Sequence, residues 1–587
     1  MASPESPPPT KKRKLSSDDS LHSYRSEEDV GITEHANNHP GFFGIVKARY
    51  SDFIVHEISR DNKVVHLTDL SSLPAEPVQS PSDDLLSHQQ HSELSALLDG
   101  TVDKIMIDVD DCDKEHRTQI HKAIRHFYPK LSSTTTTGSD GGHKCIEVTK
   151  TGGGNRSYRS SWPQDRGDYC QFVLYKENID TVDAVGVLAR KLRVKPKSIQ
   201  YGGSKDKRGI TSQLVTCYRV DAKRLQQVNS VLSNIKVGNF EYVKDGFYLG
   251  SLTGNSFTIA LRNATAEDNI VDEAVQTLQR SGFINYFGMQ RFGTAATPTH
   301  AIGKCILLED WLGAIEKILQ PRSGDSEAMV SIKQEWWQSR DPVAALAKAP
   351  CDKSSASSLL QGLVKHGPWK DYVNALQFIP RGQRLMYVHS YQSLIWNKVA
   401  SRRVKQFGLE PIVGDLVINS DNEAQCVTTD NISSYTIDDI VLPLPGYSVT
   451  YPNNEVGQWY SELLAEDELT SEKLQCRVKD YSLSGNYRPL IIKPNDITWS
   501  SIYYDDTKTQ LLESDKDKLD DVSMSHPACG TYKAVIVNFS LPAGCYATML
   551  LREVLKKDTS WTAQNKYMLE LDIPELASLP TSPHQSN

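Results

Sequence analysis

Apolar and polar residues alternate in short runs along the chain, and these runs predict a mixture of strands and helices. Between Phe53 and Ile58 every second side chain falls on the same face, which is typical of a strand. The run YCQFVLYKEN predicts another strand, and ITSQLVTCYRV a third, with a charged loop flanked by glycines, YGGSKDKRG, before it. The helix between them has Asp180 as its N-cap and an apolar stripe made of Val182, Val185, Leu188, Ala189 and Leu192. This region is therefore a strand–helix–loop–strand unit with the charged loop at its edge.

A second, smaller unit lies between polar segments. The runs KIMIDV and HKCIEV predict strands, and KEHRTQIHKAIRHFY between them predicts a helix with Ile120, Ile124 and Phe127 on one face. Residues 71–103 and the run SSTTTTGSDGG are polar and predict linkers. Residues 104–149 are therefore predicted to form a small α/β module.

The two ends and the last third of the chain complete the predicted organisation. Residues 1–38, rich in Ser, Pro and acidic residues, are predicted to be a disordered tail. The basic cluster 11–14 is typical of a nuclear localisation signal, although ordinary tails contain such clusters too. Residues 505–521 predict an acidic, solvated loop, and KAVIVNFSLPAG and YATMLLREVLK after it predict a strand and a helix. Residues 576–587 are expected to be a C-terminal tail.

Composition limits the class of protein. The chain has 587 residues, 39% of them apolar and 24% charged, as in globular proteins with a substantial core. There is no run of 18 apolar residues and no secretory leader, so we expect no membrane-spanning helix and no membrane partner. Ten cysteines without a CxxC pair favour neither a disulfide framework nor a zinc ribbon, and they fit a reducing, intracellular compartment.

The net charge and the local distribution of charge point in different directions on nucleic-acid binding. A net charge of −8 and a pI of about 6.1 count mildly against nucleic-acid binding. Between Arg190 and Arg208, however, there are eight Lys or Arg and a single acidic residue, Asp206. Such segregation is compatible with a basic working face, and a well-charged helix end followed by a turn would give the same pattern.

The loop 202–209 contains the clearest candidate for chemistry. Asp206 lies between Lys205 and the pair Lys207 and Arg208, so its carboxyl is expected to stay ionised near neutral pH. A fixed, ionised carboxylate can be a nucleophile or can stabilise a developing cation, and the surrounding cations would attract phosphates. The GK[ST] ending of a phosphate-binding P-loop is missing. Taken alone, the loop is more typical of a solvated turn.

Three further segments add candidates. In residues 285–293, aromatic side chains beside Arg and Gln could stack on an unpaired base, or could belong to a core strand and turn. Residues 254–262 alternate as a half-buried strand, and residues 540–548 predict a turn and a helix start. Each segment alone is more typical of structural support than of a functional site.

Together, these four segments in this order resemble the motifs of the TruD family of pseudouridine synthases, over about residues 41–70 and 160–575. The N-terminal tail and the small module fit the longer, eukaryotic type of that family. The resemblance implies an α+β fold, with a catalytic domain of a mixed, mostly antiparallel sheet and helices, and a family-specific α+β domain inserted in it. The implied catalytic segments are 39–70, 150–284 and 496–575, and the implied insertion is 285–495.

The resemblance also implies roles for single residues. Asp206 aligns with the catalytic aspartate, and Lys47 with the basic residue that pairs with it. Asn285 aligns with the asparagine that supports the aspartate loop, and Phe287 with the aromatic residue that stacks on the base. Substrate phosphates are expected at Lys205, Lys207 and Arg208. Two paths stay open: Asp206 attacks C1′ covalently, or it removes a sugar proton on a glycal path.

In the small module, Arg117 and His121 resemble the signature of a class of small single-stranded nucleic-acid-binding domains named for an Arg and a His at this spacing. They lie on one helix face, which Lys114 and Arg125 extend into a basic stripe. The stripe could hold RNA away from the catalytic loop, and a solvated helix face is the alternative.

The implied function is the isomerisation of uridine to pseudouridine in RNA, without cofactor or metal. By family analogy the substrates are tRNA, and also sites in U2 small nuclear RNA and mRNA. We expect a monomer that acts in the nucleus, with the cytoplasm as a second location. A catalytically silent RNA-binding protein on the same scaffold is the main alternative. A nucleic-acid hydrolase would need a metal cluster or a second carboxylate, and no motif for either is evident in the sequence.

Overall fold

A computed structural model describes most of the chain. The described residues are 26–74, 85–137, 143–150, 162–163, 166–293, 297–322, 325–349, 354–367, 371–560, 563–564 and 567. The basic cluster 11–14 and the predicted tail 576–587 lie outside them. No helix in the described segments is both long and apolar enough to cross a membrane.

The strands within the described residues are β1 Ile45–Val46, β2 Phe53–Ile58, β3 Lys104–Asp108, β4 Leu131–Thr137, β5 Lys144–Lys150, β6 Tyr169–Glu177, β7 Ile199–Tyr201, β8 Ile210–Tyr218, β9 Ile235–Val243, β10 Gly254–Arg262, β11 Phe283–Ile284, β12 Leu416–Ile418, β13 Ala424–Cys426, β14 Ile440–Leu444, β15 Asn486–Pro489, β16 Ile491–Ile492, β17 Asn495–Tyr504 and β18 Tyr532–Pro542.

The α-helices in the same residues are α1 His88–Asp99, α2 Lys114–Phe127, α3 Thr181–Leu192, α4 Ala222–Gln226, α5 Asp268–Ser281, α6 Thr299–Leu307, α7 Trp311–Ile318, α8 Glu327–Ser339, α9 Pro342–Ala347, α10 Ser355–His366, α11 Tyr372–Leu376, α12 Arg381–Phe407, α13 Glu455–Glu466, α14 Asp515–Leu519 and α15 Ala547–Leu555.

The main sheet has the order β17-β18-β10-β2-β8-β6-β9, with β1 beside β10 and β7 beside β8. All of these pairs are antiparallel except β2 with β8, where Val55 lies opposite Thr211. The predicted α+β class with a mixed, mostly antiparallel sheet is therefore confirmed.

The alternation of side chains along β2 explains how the sheet is covered. Phe53 and Val55 face the larger core, to which α5, α12 and α15 contribute. Ile54 faces the opposite side, where it packs in a second core with Leu511 and Leu512 of the acidic segment. That segment is thus not the solvated loop that its charges predict, because its apolar residues cover the back of the sheet.

Helix α3 begins as the sequence predicts, since the Asp180 side chain accepts a hydrogen bond from Val182 N at 2.7 Å. Its stripe packs against β6, β8 and β9. One member was predicted wrongly: the Val182 side chain is exposed, because it lies in the first turn on the face away from the sheet.

The chain leaves the main sheet after β10 and returns as β17. Strands β11 and β16 pair with each other between these points, next to the predicted insertion boundaries at 285 and 495. Between them lie α6 to α13 and a four-stranded sheet of order β13-β12-β14-β15. One hydrophobic core runs from the main sheet into this region, and the long helix α12 lies in it.

The predicted disordered tail 1–38 is too long, because residues 26–38 pack on α15. Val30, Ile32 and Ala36 are buried in the main core. The Glu553 carboxylate accepts hydrogen bonds of 3.1 Å from Ala36 N. The Glu27 carboxylate also pairs with Arg552 of α15. An acidic residue of this segment thus makes a buried contact, which composition alone does not reveal.

The small module is also larger than predicted. Strands β3, β5 and β4 form its antiparallel sheet, so the Thr-rich run predicted to be a linker is partly the strand β4. Helix α1, inside the predicted linker 71–103, buries Leu94 and Leu97 in the core of the module. Polar composition hid this helix, since only one narrow face of it is apolar.

Candidate active site

A cavity of about 240 Å³ opens at the front of the main sheet, where β2, β10 and two loops meet. Its walls are Phe53, Val55, Ser204, Lys205, Asp206, Asn255, Phe257, Gln290 and residues 544–548. Three of the four segments singled out in the sequence supply several of these residues, and the segment 285–293 supplies Gln290. The strand 254–262, expected to give structural support alone, contributes Asn255 and Phe257.

The Asp206 carboxylate is paired with Lys47, as predicted, with 2.7 Å between Oδ2 and Nζ. The Asp206 side chain is 41% exposed, so it faces the cavity and remains reachable. Burial raises the pKa of the Asp206 carboxyl, but Lys47 outweighs this effect, with help from Lys176 and Lys205, and the net pKa lies below the ordinary value. The group is therefore ionised at neutral pH.

Lys47 itself is held in a strained conformation. Its φ of 55° lies in the left-handed region. Its ammonium lies 3.7 Å from the centroid of the Phe53 ring. Arg208 fixes the same turn, because its guanidinium donates to the Lys47 carbonyl at 3.0 Å and to the Ala48 carbonyl at 2.7 Å. Arg208 was predicted to bind phosphate, and instead it joins the two segments that carry the Lys47–Asp206 pair.

Lys205 is a second correction to the predicted phosphate site. Its ammonium lies 2.7 Å from a Glu57 carboxylate oxygen, and both side chains are buried. Burial raises the pKa of Glu57, and Lys205 opposes this effect. The Lys205 ammonium is therefore engaged by Glu57. Of the three residues predicted to bind phosphate, Lys207 is the one with an exposed side chain.

A buried lysine, Lys176, holds the backbone of the loop 202–209, and the sequence did not indicate this role. Lys176, fully buried on β6, donates hydrogen bonds of 2.8 Å to the carbonyls of Ile179 and Asp206. Thr181 Oγ1 accepts a bond from Lys205 N at 2.9 Å, and Gln213 Nε2 donates to the Gly203 carbonyl at 3.0 Å. A lysine inside the apolar run FVLYKEN was the available signal.

Asn285 does not contact the aspartate loop in the described structure. Its Oδ1 and its carbonyl accept bonds of 2.7 and 2.8 Å from Arg488, and its Nδ2 donates to the Pro489 carbonyl at 3.2 Å. Arg488 also donates to the Gly544 carbonyl on the cavity wall at 3.0 Å. Asn285 therefore positions Arg488, and no local sequence pattern identifies that arginine.

Phe287 packs one layer behind the cavity wall. Its ring is 7% exposed and lies edge-on to Trp396 and Tyr546, with centroids 5.8 and 6.1 Å away. The Arg488 guanidinium covers one face, 4.0 Å from the ring centroid. In this structure the aromatic rings that line the cavity are Phe53, Phe257 and Tyr546, so the predicted stacking by Phe287 would require a rearrangement.

The module residues Arg117 and His121 are engaged within the module. Arg117 Nη1 donates to the Cys112 carbonyl. Both nitrogens of His121 contact hydroxyls of β4, Ser133 at 2.8 Å and Thr135 at 2.9 Å. Burial, and then Arg125, lower the pKa of His121, so its ring is neutral at neutral pH.

Comparison with known proteins identifies the family of the chain. The family model described as tRNA pseudouridine synthase D (TruD) matches residues 147–554. The human protein named pseudouridylate synthase 7 homolog is 44% identical over 545 residues, which cover 91% of this chain and 82% of the relative. The multisubstrate pseudouridine synthase 7 of Schizosaccharomyces pombe is 34% identical over 632 residues, covering 93% and 92%.

A solved structure gives the same fold. The putative tRNA pseudouridine synthase D of Methanosarcina mazei superposes with a TM-score of 0.54 at 20% identity, over 90% of this chain and 97% of that one. The fold and the relatives thus define an RNA-modifying isomerase. The chain belongs to the TruD family of pseudouridine synthases, which act on uridine in RNA, and the family and activity predicted from the sequence are confirmed.

Proposed function

We propose that Asp206 carries out the chemistry on a uridine that has left its stack and entered the cavity. The observation that carries the proposal is the ionised Asp206 carboxylate on the cavity wall, 2.7 Å from Lys47. The reaction breaks the bond between C1′ and N1, turns the uracil and joins C1′ to C5; C5 then loses its proton to solvent, and N1 takes up a proton. Both routes start from an ionised carboxylate, as a nucleophile at C1′ or as a base for a sugar proton.

The surroundings of Asp206 suit this role because they fix the carboxylate before the substrate arrives. Lys47 holds one oxygen, Lys176 holds the backbone of the same residue, and Arg208 ties the loop to the Lys47 turn. Preorganised charge of this kind lowers the barrier without reorganisation during the reaction.

We propose that Asn255 recognises the base. The Asn255 side chain lines the cavity, and its Oδ1 is buried without a hydrogen-bond partner among the described residues. A buried acceptor without a partner costs about 1–3 kcal/mol, so a donor from the substrate is expected to satisfy it. The N3–H of uracil is such a donor, and cytosine lacks it. Asn255→Ala should therefore lower kcat/KM for uridine.

The test of the catalytic role uses RNA with tritium at C5 of uridine. Asp206→Asn keeps the size of the side chain and removes its charge, so tritium release should stop while RNA affinity stays within about twofold, because binding surfaces are unchanged. Asp168→Asn is the matched control, since Asp168 also pairs with a cation, Arg219 at 2.9 Å, but lies at the surface. Tritium release by Asp206→Asn at the rate of the control variant would reject the proposal. RNA binding by the unaltered chain without tritium release would favour the catalytically silent alternative.

We further propose that tRNA is a substrate, with sites in small nuclear RNA and mRNA in addition. Support comes from the family description and from the multisubstrate relative. Mapping pseudouridine in RNA from cells with the chain, or with Asp206→Asn in its place, tests each RNA class.

We also propose that the chain is a monomer and that it is located in the nucleus. The basic cluster 11–14 supports the nuclear location. Sedimentation tests the first, and imaging of a variant with alanines at 11–14 tests the second.

A further inference from the structure

Three side chains of metal-binding type converge on the back of the main sheet, opposite the cavity. They are His56 on β2, His66 in the segment that returns along β2, and Asp515 at the start of α14. His56 Nε2 and His66 Nδ1 lie 3.1 and 2.9 Å from Asp515 Oδ1. The three candidate ligand atoms all lie within 4.8 Å of one another.

The other oxygen of Asp515 is already held by the protein. Ser212 Oγ donates to Oδ2 at 2.7 Å, and Leu67 N donates at 2.8 Å. These two bonds leave Oδ1 directed at the imidazoles. Ligating carboxylates in metalloproteins are typically oriented by outer hydrogen bonds in this way.

The Asp515 carboxylate is buried beside the two imidazoles. Asp515 is 2% exposed, and the ion-pair partners that the described chain gives it are the two imidazoles. A cation bound between these three side chains would compensate the buried carboxylate.

We propose that His56, His66 and Asp515 bind one divalent metal ion of the zinc class. Two imidazole nitrogens and a carboxylate oxygen are a common zinc donor set, which leaves a fourth position for water. Nitrogen ligands disfavour magnesium and calcium, which prefer oxygen. His66 is 40% exposed, so an ion and a water molecule can reach the cluster from that side.

Such an ion would act as a structural clamp. It would join β2 and its return segment to the acidic segment that covers the back of the sheet. On the same strand, Glu57 points to the front and pairs with Lys205 of the catalytic loop. The clamp therefore lies on the strand that supports the loop, but its ligands do not line the cavity.

The proposal is tested on the full chain after removal of metal with a chelator, and without RNA, so that it is independent of the proposed catalysis. Cobalt(II) is titrated as a probe, and zinc is then added as a competitor. We expect one cobalt ion per chain with the visible absorption of a four-coordinate ion, displaced by zinc and not by magnesium. Zinc should also raise the Tm as its concentration increases.

His66→Gln is the decisive variant because His66 is half-exposed, so the substitution should be tolerated by the fold. It should weaken cobalt binding at least about tenfold and abolish the effect of zinc on the Tm. His143→Gln is the matched control, since His143 pairs with Asp110 at 2.8 Å on the surface of the module and should leave both unchanged. Equal uptake by His66→Gln, equal loss in His143→Gln, displacement by magnesium, or a Tm that zinc does not change would each overturn the proposal.

Discussion

Replacement of Lys176 by Met tests whether the buried ammonium positions Asp206. The substitution keeps an unbranched, apolar stem and removes the hydrogen bonds of 2.8 Å to the carbonyls of Ile179 and Asp206. Two opposing effects set the change in stability. Burial lowers the pKa of Lys176 from 10.5 to about 8. This shift corresponds to a cost of about 3 kcal/mol for burying the charged ammonium, and the Met variant does not have that cost. Each orphaned carbonyl costs about 1–3 kcal/mol.

Because these terms nearly cancel, the free energy of unfolding should change by no more than about 3 kcal/mol. Catalysis should change more, since the carbonyl that is released belongs to Asp206 itself. A displacement of the carboxylate by about 1 Å can cost about 100-fold in rate. We therefore expect kcat to fall by about 100-fold with little change in KM.

The assay is turnover at saturating RNA, with unfolding measured in parallel by denaturant. Lys236→Met is the matched control, because Lys236 also donates to two carbonyls, those of Asn229 and Leu232 at 2.8 and 2.9 Å, away from the loop. A kcat of Lys176→Met within about twofold of the unaltered chain, or an equal loss in Lys236→Met, would refute the positioning role.

The lowered pKa of Lys176 predicts that stability rises with pH while activity falls. Below about pH 8 both the folded and unfolded chains carry the proton, and between about 8 and 10.5 the unfolded chain alone carries it. Stability relative to Lys176→Met should therefore rise with pH across this window, by up to about 3 kcal/mol. Activity should fall over the same window as the ammonium loses a donor, and denaturation and kcat profiles measure the two.

Three further substitutions and one deletion give separate outcomes. Phe287→Leu should lower the free energy of unfolding by about 1–3 kcal/mol, because the ring is buried. Tyr546→Ala, at a ring that lines the cavity, should lower kcat/KM more than Phe287→Leu does. Slowed turnover with an unchanged Tm in Phe287→Leu would instead support stacking of Phe287 on the base. Glu57→Gln leaves the buried Lys205 ammonium uncompensated and should cost about 3–5 kcal/mol in denaturant unfolding, and a loss below about 1 kcal/mol would contradict the buried pair. Deletion of the module 85–150 should weaken RNA binding and flatten its dependence on salt, with kcat unchanged; equal affinity and equal salt slopes would contradict a role in binding.

Long, strongly patterned elements were predictable from the sequence. The alternation in β2 and the capped helix α3 are local properties, and the chain forms both. The order of the four segments indicated the family, and through it Asp206 and its pairing with Lys47. Roles that depend on tertiary packing were not predictable: the side chains of Lys205 and Arg208 are charged and close to Asp206, yet the fold turns one to Glu57 and the other to backbone carbonyls.

Residues brought together from distant parts of the chain give no sequence spacing to detect. Arg488 lies 203 positions from Asn285, and Asp515 lies 449 positions from His66. Polar composition also misled where a few apolar residues suffice for packing, as in residues 26–38, helix α1 and the acidic segment. In each case the buried residues are too sparse to produce a clear hydrophobic period.

The central claim is that the Asp206 carboxylate performs the isomerisation, and single-turnover nucleoside analysis tests it most directly. RNA is fully bound by excess protein, digested after a fixed time, and separated by chromatography that resolves uridine from pseudouridine. The account predicts conversion by the unaltered chain and by Asp168→Asn, and no conversion by Asp206→Asn although the RNA is bound. Pseudouridine formed by Asp206→Asn at a rate comparable to that of Asp168→Asn would contradict it.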